Sequence, residues 1–320
     1  MPRRFLIILS IAFLISGCGN PGPDTGKTQA FTIATLKGPS SMGMIRMIDS
    51  LKRGSVHKIE VMILNEPIQV RKMMIDGSAD FAILPTTMAA IVYNKGMEYR
   101  LVAIPVWGTL YLFGSDTTIT RWADLRGKKV NLMARGMTPD VLFRYLLQKN
   151  GINPENDISL DYTFPTHIDL ANAIASGQAD LGVISEPLAS MAMERNKNLR
   201  LIFDLDDEWK KIEGIPITET AFMAKKSVLK NNRQMVEKLL SSYDASTRWV
   251  NQNPDSAAAL MVKYDILPNS NVAISSIPRS NLNFVRAKDV KSQIEDYLNV
   301  FYNMNPDIIG GKIPDEDFIY

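Results

Sequence analysis

The 320-residue chain has a single cysteine, Cys18, and only two histidines, His57 and His167. One thiol cannot close an intramolecular disulfide, so burial must hold the fold together whatever the redox state of its compartment. Neither histidine has a cysteine or a suitably spaced carboxylate beside it, which argues against a zinc site or a nucleophile triad. No Walker loop and no GxGxxG is present either, so no metal and no cofactor is expected. Charge of one sign is not in excess: Lys and Arg number 36, Asp and Glu 34. With no basic stripe, nucleic acid is not an expected partner. No apolar stretch reaches the roughly 20 residues that a bilayer core demands.

What is present begins at the N-terminus. Arg3 and Arg4 precede the apolar stretch FLIILSIAFLI (5–15), and Ser16 and Gly17 then lead to Cys18. Basic, apolar, then small is the order of a secretory signal. Small residues directly before a cysteine resemble the bacterial lipobox. That resemblance implies that 1–17 are removed and that Cys18 becomes a diacylated N-terminus, placing the protein in the periplasm with a lipid anchor in a membrane. The following GNPGPDTGKTQA is rich in Gly, Pro and polar residues, so 18–29 reads as a flexible tether. Without Arg3 and Arg4 the basic and acidic residues balance. An apolar content of 46% over this length supports one large core or, better, two medium ones.

The chain also repeats itself. IDGSADFAILPTT (75–87) returns one hundred residues later within IASGQADLGVISEP (174–187), aligning Gly77 with Gly177, Ala79 with Ala179, Asp80 with Asp180 and Thr86 with Glu186. A helical apolar pattern precedes each glycine, which fits a left-handed residue ending a helix. FAIL and LGVI are short, fully apolar runs, expected as strands buried on both faces of a parallel sheet. Thr28 to Gly38 and Gly127 to Gly136 each read as a strand leading into a helix, PSSMGMIRMIDSLKRG and MTPDVLFRYLLQKNG. Alternating strands and helices predict an α/β fold in each half, with ligands met beyond the strand tips. Leu110 to Gly114 is read as the strand leaving the first half. The chain after IEGIPITETAFMAK (212–225) is read as helical almost to its end, with one long helix stopped by Pro254. The expected division is 30–115 plus 215–320 for lobe one and 116–214 for lobe two.

These features together resemble the type II periplasmic substrate-binding lipoproteins of ABC importers, nearest the branch handling sulfonates, nitrate, taurine and thiamine-pyrimidine precursors. The phrases that carry it are LKGPSSMGM, GSADFAILPTTMAA, DLRGKKV, GMTPDVLFRYLLQKNG, SGQADLGVISEP and the ending GGKIPDEDFIY. The resemblance implies a two-lobed α/β periplasmic-binding-protein type II fold, a two-strand hinge and a helical C-terminal wrap. It also implies a monomer that captures a small molecule and hands it to a permease and ATPase complex. Two other readings remain: an enzyme on the same fold, of the pyrimidine-precursor or menaquinone-pathway type, and a lipoprotein sensor that presents its ligand.

Candidate ligand contacts follow from the strand tips. Gly38, Ser40 and Ser41 open the first helix and Gly136, Met137 and Thr138 open that of the second lobe, with Thr138 as N-cap and Pro139 at N1. Helix starts present free N–H groups and about half a positive charge, two cradles for an anionic group. Thr86 and Thr87 follow the first repeat strand. Glu186 follows the second, either as a helix cap or as an acceptor for a ligand N–H. Trp107, Met42, Met88 and Met137 are candidates for an apolar wall; Lys37 and Arg135 could face an anion. His57 is expected in a surface turn and His167 at a helix start.

Overall fold

The computed structural model describes residues 30–54 and 58–320. The expected signal segment, the tether, Cys18 and His57 lie outside the described residues. In chain order the strands are β1 (Ala30–Leu36), β2 (Lys58–Leu64), β3 (Phe81–Pro85), β4 (Tyr99–Val106), β5 (Leu110–Gly114), β6 (Lys129–Asn131), β7 (Ser159–Asp161), β8 (Leu181–Ser185), β9 (Arg200–Asp204), β10 (Thr220–Lys225) and β11 (Leu282–Arg286). They form a six-stranded sheet ordered β11-β4-β10-β3-β1-β2 and a five-stranded sheet ordered β7-β6-β8-β5-β9. Read from its other edge, the second sheet repeats the first, with β11 as the one added edge strand. Helices cover both faces of each sheet, and one apolar cluster runs continuously from the first lobe into the second.

The repeated sequence writes the same unit in both sheets. The helices Pro67–Ile75 and His167–Ala175 end at Gly77 and Gly177, whose φ angles are 76° and 75°. Only glycine adopts that left-handed conformation without a Cβ penalty. The chain then turns into β3 or β8. In both copies the aspartate carbonyl receives a backbone N–H at the strand start, Asp80 from Lys225 at 2.9 Å and Asp180 from Ser115 at 3.2 Å.

Neither sheet is purely parallel, which corrects the expectation for FAIL and LGVI. β3 is parallel to β1 and antiparallel to β10, and β8 is parallel to β6 and antiparallel to β5. The reason is connectivity. β5 and β10 each arrive from the opposite lobe, enter at the strand tips beside the cleft, and can only run away from it. This also moves the first boundary. Leu110 to Gly114 pairs with β8 and β9, so the first crossover is residues 107–109 and 110–115 belong to the second lobe. A five-residue apolar run carries no mark of which sheet it joins. The second crossover is residues 214–219.

Three helical expectations are also revised. The first helix is two, Pro39–Gly43 and Ile45–Arg53, parted at Met44. The Ser246 hydroxyl fills the break, accepting from the N–H groups of Arg46 (3.1 Å) and Met47 (3.3 Å) and donating to the Gly43 carbonyl (2.8 Å). The long helix expected before Pro254 is Lys226–Asn231 and Arg233–Gln252, and Pro254 opens the next helix, Pro254–Lys263, instead of merely stopping one. The C-terminal region also contains a strand, β11, on the edge of the first sheet. Its last long helix, Lys291–Met304, does not keep to the first lobe. Tyr297 and Phe301 pack on Trp209 of the second lobe, at centroid distances of 5.7 and 6.3 Å, and Trp209 in turn meets Tyr145 at 5.4 Å. Such pairs contribute about 1 kcal/mol each beyond area burial.

The crossovers lie side by side. Gly108 N–H donates to the Ile217 carbonyl (3.0 Å), and the buried Asp206 accepts from Ile217 N–H (2.7 Å) while pairing with Lys210. A Cβ on Gly108 would lie 2.6 Å from the Asp206 Cβ, closer than non-bonded carbons approach. Gly108→Ala is therefore expected to cost about 1–3 kcal/mol in urea unfolding, the usual penalty of overpacking. An unchanged midpoint would show that the crossovers yield freely.

Candidate functional site

The strand tips of both sheets converge on one cleft. Leu36, Pro85, Val106, Leu110, Ser185 and Thr220, each a first or last residue of a strand, line a cavity of about 1170 Å³ between the lobes. Its walls come from the starts of the helices Thr138–Lys149 and His167–Ala175 on one side, and from Pro39–Gly43 and Pro67–Ile75 on the other. Its floor is made by the crossovers, through Thr109 and Glu219.

The expected contacts divide. Ser40, Thr87, Gly136, Met137, Thr138 and Glu186 line the cleft, as does Met88. The hydroxyls of Thr87 and Thr138 meet at 2.7 Å, so the two lobes touch across it. Thr138 is the first helical residue and Met137 the N-cap, one position earlier than expected, and Thr138 is thereby free to reach across. Gly38, with φ 145°, stands beside the cleft where a Cβ would come within 3.7 Å of Pro187 of the facing lobe.

Ser41, Met42, Thr86 and Trp107 are not on the cleft surface. Ser41 is fully buried and its hydroxyl turns back on Gly38 (3.1 Å), a cap and not a ligand contact. Met42 is fully buried among the first lobe's helices. Trp107 is buried with its indole N–H donating to the Asn283 carbonyl at 2.8 Å. Helix Arg233–Gln252 packs over Met42 and β11 holds Trp107, both from far along the chain. Arg135 lies over the Tyr162 ring at 5.4 Å, and Lys37 pairs with Asp265 at 3.4 Å.

Glu186 is a structural carboxylate. One oxygen accepts from Arg279 Nε (2.5 Å) and Ser190 Oγ (3.0 Å), the other from Ser190 N–H (3.1 Å) at the start of helix Leu188–Arg195. Burial pushes its carboxyl up, against the pull of Arg279 and Ser190. Of the two readings of Glu186, the contacts are those of the cap, joined by an ion pair to a first-lobe arginine that occupies the carboxylate in place of a ligand N–H. Sequence gave no sign of Arg279 as its partner, ninety-three residues away.

The acid that does occupy the floor is Glu219, which sequence reading passed over inside ITETAF. Its carboxylate, in the second crossover, accepts the Thr109 N–H (2.6 Å) and hydroxyl (2.9 Å) of the first. Burial pushes it from the ordinary 4.5 to about 7, helped by the charges of Asp206 and Asp204 and opposed by Thr109. The hydroxyls of Thr218 and Thr220 on either side of it, and of Thr86, have no partner among the described residues. His167, first in its helix, lines the cleft with Nδ1 unpartnered, and burial pushes it down to about 4 so that it is neutral near pH 7. Among the described residues no cluster of three or more metal-ligating side chains occurs.

Two lobes of one strand order around a shared cleft define the architecture of a two-lobed solute-binding protein. The sequence profile of the ABC-transporter phosphonate periplasmic substrate-binding proteins matches residues 42–265, and the chain belongs to that family. The crystal structure of an ABC transporter protein from Parabacteroides distasonis is similar, with TM-score 0.78, 24% identity, and coverage of 91% of this chain and 98% of that one. The aliphatic sulphonate binding protein SsuA of Escherichia coli gives TM-score 0.72 and 20% identity, over 91% and 92% of the two chains. The desulfurization enzyme DszB shares the fold at TM-score 0.63 and 13% identity, over 91% of this chain and 96% of that one. YtlA of Bacillus subtilis (strain 168) is 28% identical over 181 residues, 55% of this chain; the match spans about half of that relative's length, 52%.

Two outcomes follow. Between pH 4.5 and about 7 the folded state keeps a proton on Glu219 that the unfolded chain has released. Stability from this group is thus greatest on the acid side and falls as pH rises to about 7. The melting temperature of Glu219→Gln should change less than that of the native protein between about pH 5 and about pH 8. Arg279→Met should cost about 3 kcal/mol in urea unfolding by stranding a buried carboxylate, and adding Glu186→Gln should recover much of it. A double variant no more stable than Arg279→Met would break the ion-pair account.

Proposed function

We propose that the chain is the solute-binding subunit of an ABC-type importer, capturing one small molecule between its lobes and delivering it to a membrane permease and ATPase. The observation that carries this is the cleft itself, floored by two adjoining crossovers and lined by strand tips of both sheets. A ligand touching both lobes binds the shut form better than the open one, and so shifts the hinge equilibrium. Thr87 and Thr138, already in contact across the cleft, are the pair through which closure is read, with Ser40, Gly136 and Met137 beside them. The protein works as a monomer in the periplasm, held to a membrane by lipid on Cys18, and performs no catalysis.

The test is a thermal-shift screen of the Cys18-less protein against phosphonates, sulfonates, amines and nitrogen heterocycles, followed by calorimetry. One class should raise the melting temperature and bind one to one, at about micromolar affinity or about 8 kcal/mol. Chemical turnover of the bound compound would replace this reading with that of an enzyme on the same fold.

A further inference from the structure

The cleft's chemistry points to a ligand class, and this step rests on the solute-binding reading above. Six carboxylates line the cleft, Glu66, Asp169, Glu186, Glu219, Asp265 and Asp307, of which Glu186 is neutralised by Arg279 behind it, against three permanent cations, Lys37, Arg71 and Arg195. None of the cations belongs to a crossover. Lys37 is held by Asp265, and Arg195 donates to the Asn172 side chain at 2.5 Å. His167 is neutral and adds no charge. A ligand whose deepest group is an oxyanion would meet Glu219 on the floor with no cation beside it.

The floor instead has capacity to accept. A carboxylate offers about four lone-pair sites, and Thr109 occupies two of those on Glu219. Next to it in the chain, Thr220 is 8% exposed and lines the cleft, and its hydroxyl has no partner among the described residues. An unpartnered buried hydroxyl costs free energy, which a ligand group bonded to it would recover. At the walls stand Glu66 and Asp169, on opposite lobes: burial and then the Asp169 charge push Glu66 up. Closing the lobes brings like charges together, and a positive group between them removes that cost. The same walls carry exposed apolar side chains from both lobes, Ile68 (59%), Met137 (41%) and Ile168 (52%). Left in water they gain nothing; an apolar ligand body would bury them.

We propose that the cleft selects a nitrogen base, an ammonium or N–H donor group carried on an apolar body, with Glu219 accepting from the nitrogen, Thr220 completing the polar contact, and Ile68, Met137 and Ile168 closing on the body. Glu219 is then a specificity-determining residue and also the link between the ligand and the crossover of the other lobe, through Thr109.

Head-group probes on one apolar body test this: benzylamine against benzylphosphonate and phenylmethanesulfonate, read by melting temperature and calorimetry at about pH 8, where Glu219 is ionised. Benzylamine should bind the native protein, and Glu219→Gln should weaken it by about tenfold or more, as loss of a charged acceptor does. Thr220→Val leaves the Thr109 tie intact and should weaken it several-fold, which keeps the test valid if Glu219→Gln folds poorly. Binding of the phosphonate or sulfonate without benzylamine overturns the nitrogen-base assignment while leaving solute binding intact. Equal affinity of the native protein and both variants for benzylamine overturns the placement on Glu219 and Thr220. No binding by any of the three overturns the assignment and is the only result that also counts against the solute-binding reading.

Discussion

The tie between the two crossovers is the constraint on which the rest of the molecule depends. Glu219 receives Thr109 through two hydrogen bonds, Gly108 gives its N–H to Ile217, and Asp206 takes the N–H of Ile217 in return. Two residues in each crossover, with Asp206 beside them, thereby fix where both sheets start. The strands reached through that bridge, β5 and β10, enter their sheets at the tips beside the cleft, so each is antiparallel to the strands around it. The cleft exists because both sheets present their tips toward the same bridge.

Rigidity is unevenly distributed around this point. On one side, helix Lys291–Met304 packs aromatic rings against Trp209 and joins the cores of both lobes. Polar contacts also join the lobes: Thr87 with Thr138, Arg279 with Glu186, and Asn269 with Glu194 at 2.9 Å. Apolar burial is insensitive to small rotations, whereas a hydrogen bond is lost within about an ångström.

Much of the fold was legible. A repeat at an offset of one hundred, with a glycine at each helix end and an apolar run after it, named two equivalent units, because αL geometry and two-sided burial each restrict residue choice strongly. The site was legible only in part. Thr87, Gly136, Met137 and Thr138 could be placed at the cleft from sequence because strand tips and helix starts are local features. Trp107 and Met42 were misplaced because the segments that cover them come from residues far along the chain. Glu186 looked available for a ligand because nothing near it in sequence reveals Arg279. Glu219 went unnoticed, since a lone glutamate between threonines has no pattern.

By itself, then, the sequence determined the parts: the αβ units, their helix stops, the strand tips and the balance of charge. These are set by local backbone preference and by the period of apolar residues, which act over a few positions. Only the tertiary structure decided the direction of β5 and β10, the sheet that Leu110 to Gly114 joins, and which carboxylate stands on the cleft floor. Those depend on pairings between residues about one hundred positions apart, whose free energy comes from burial and hydrogen bonds that exist only once both lobes have formed.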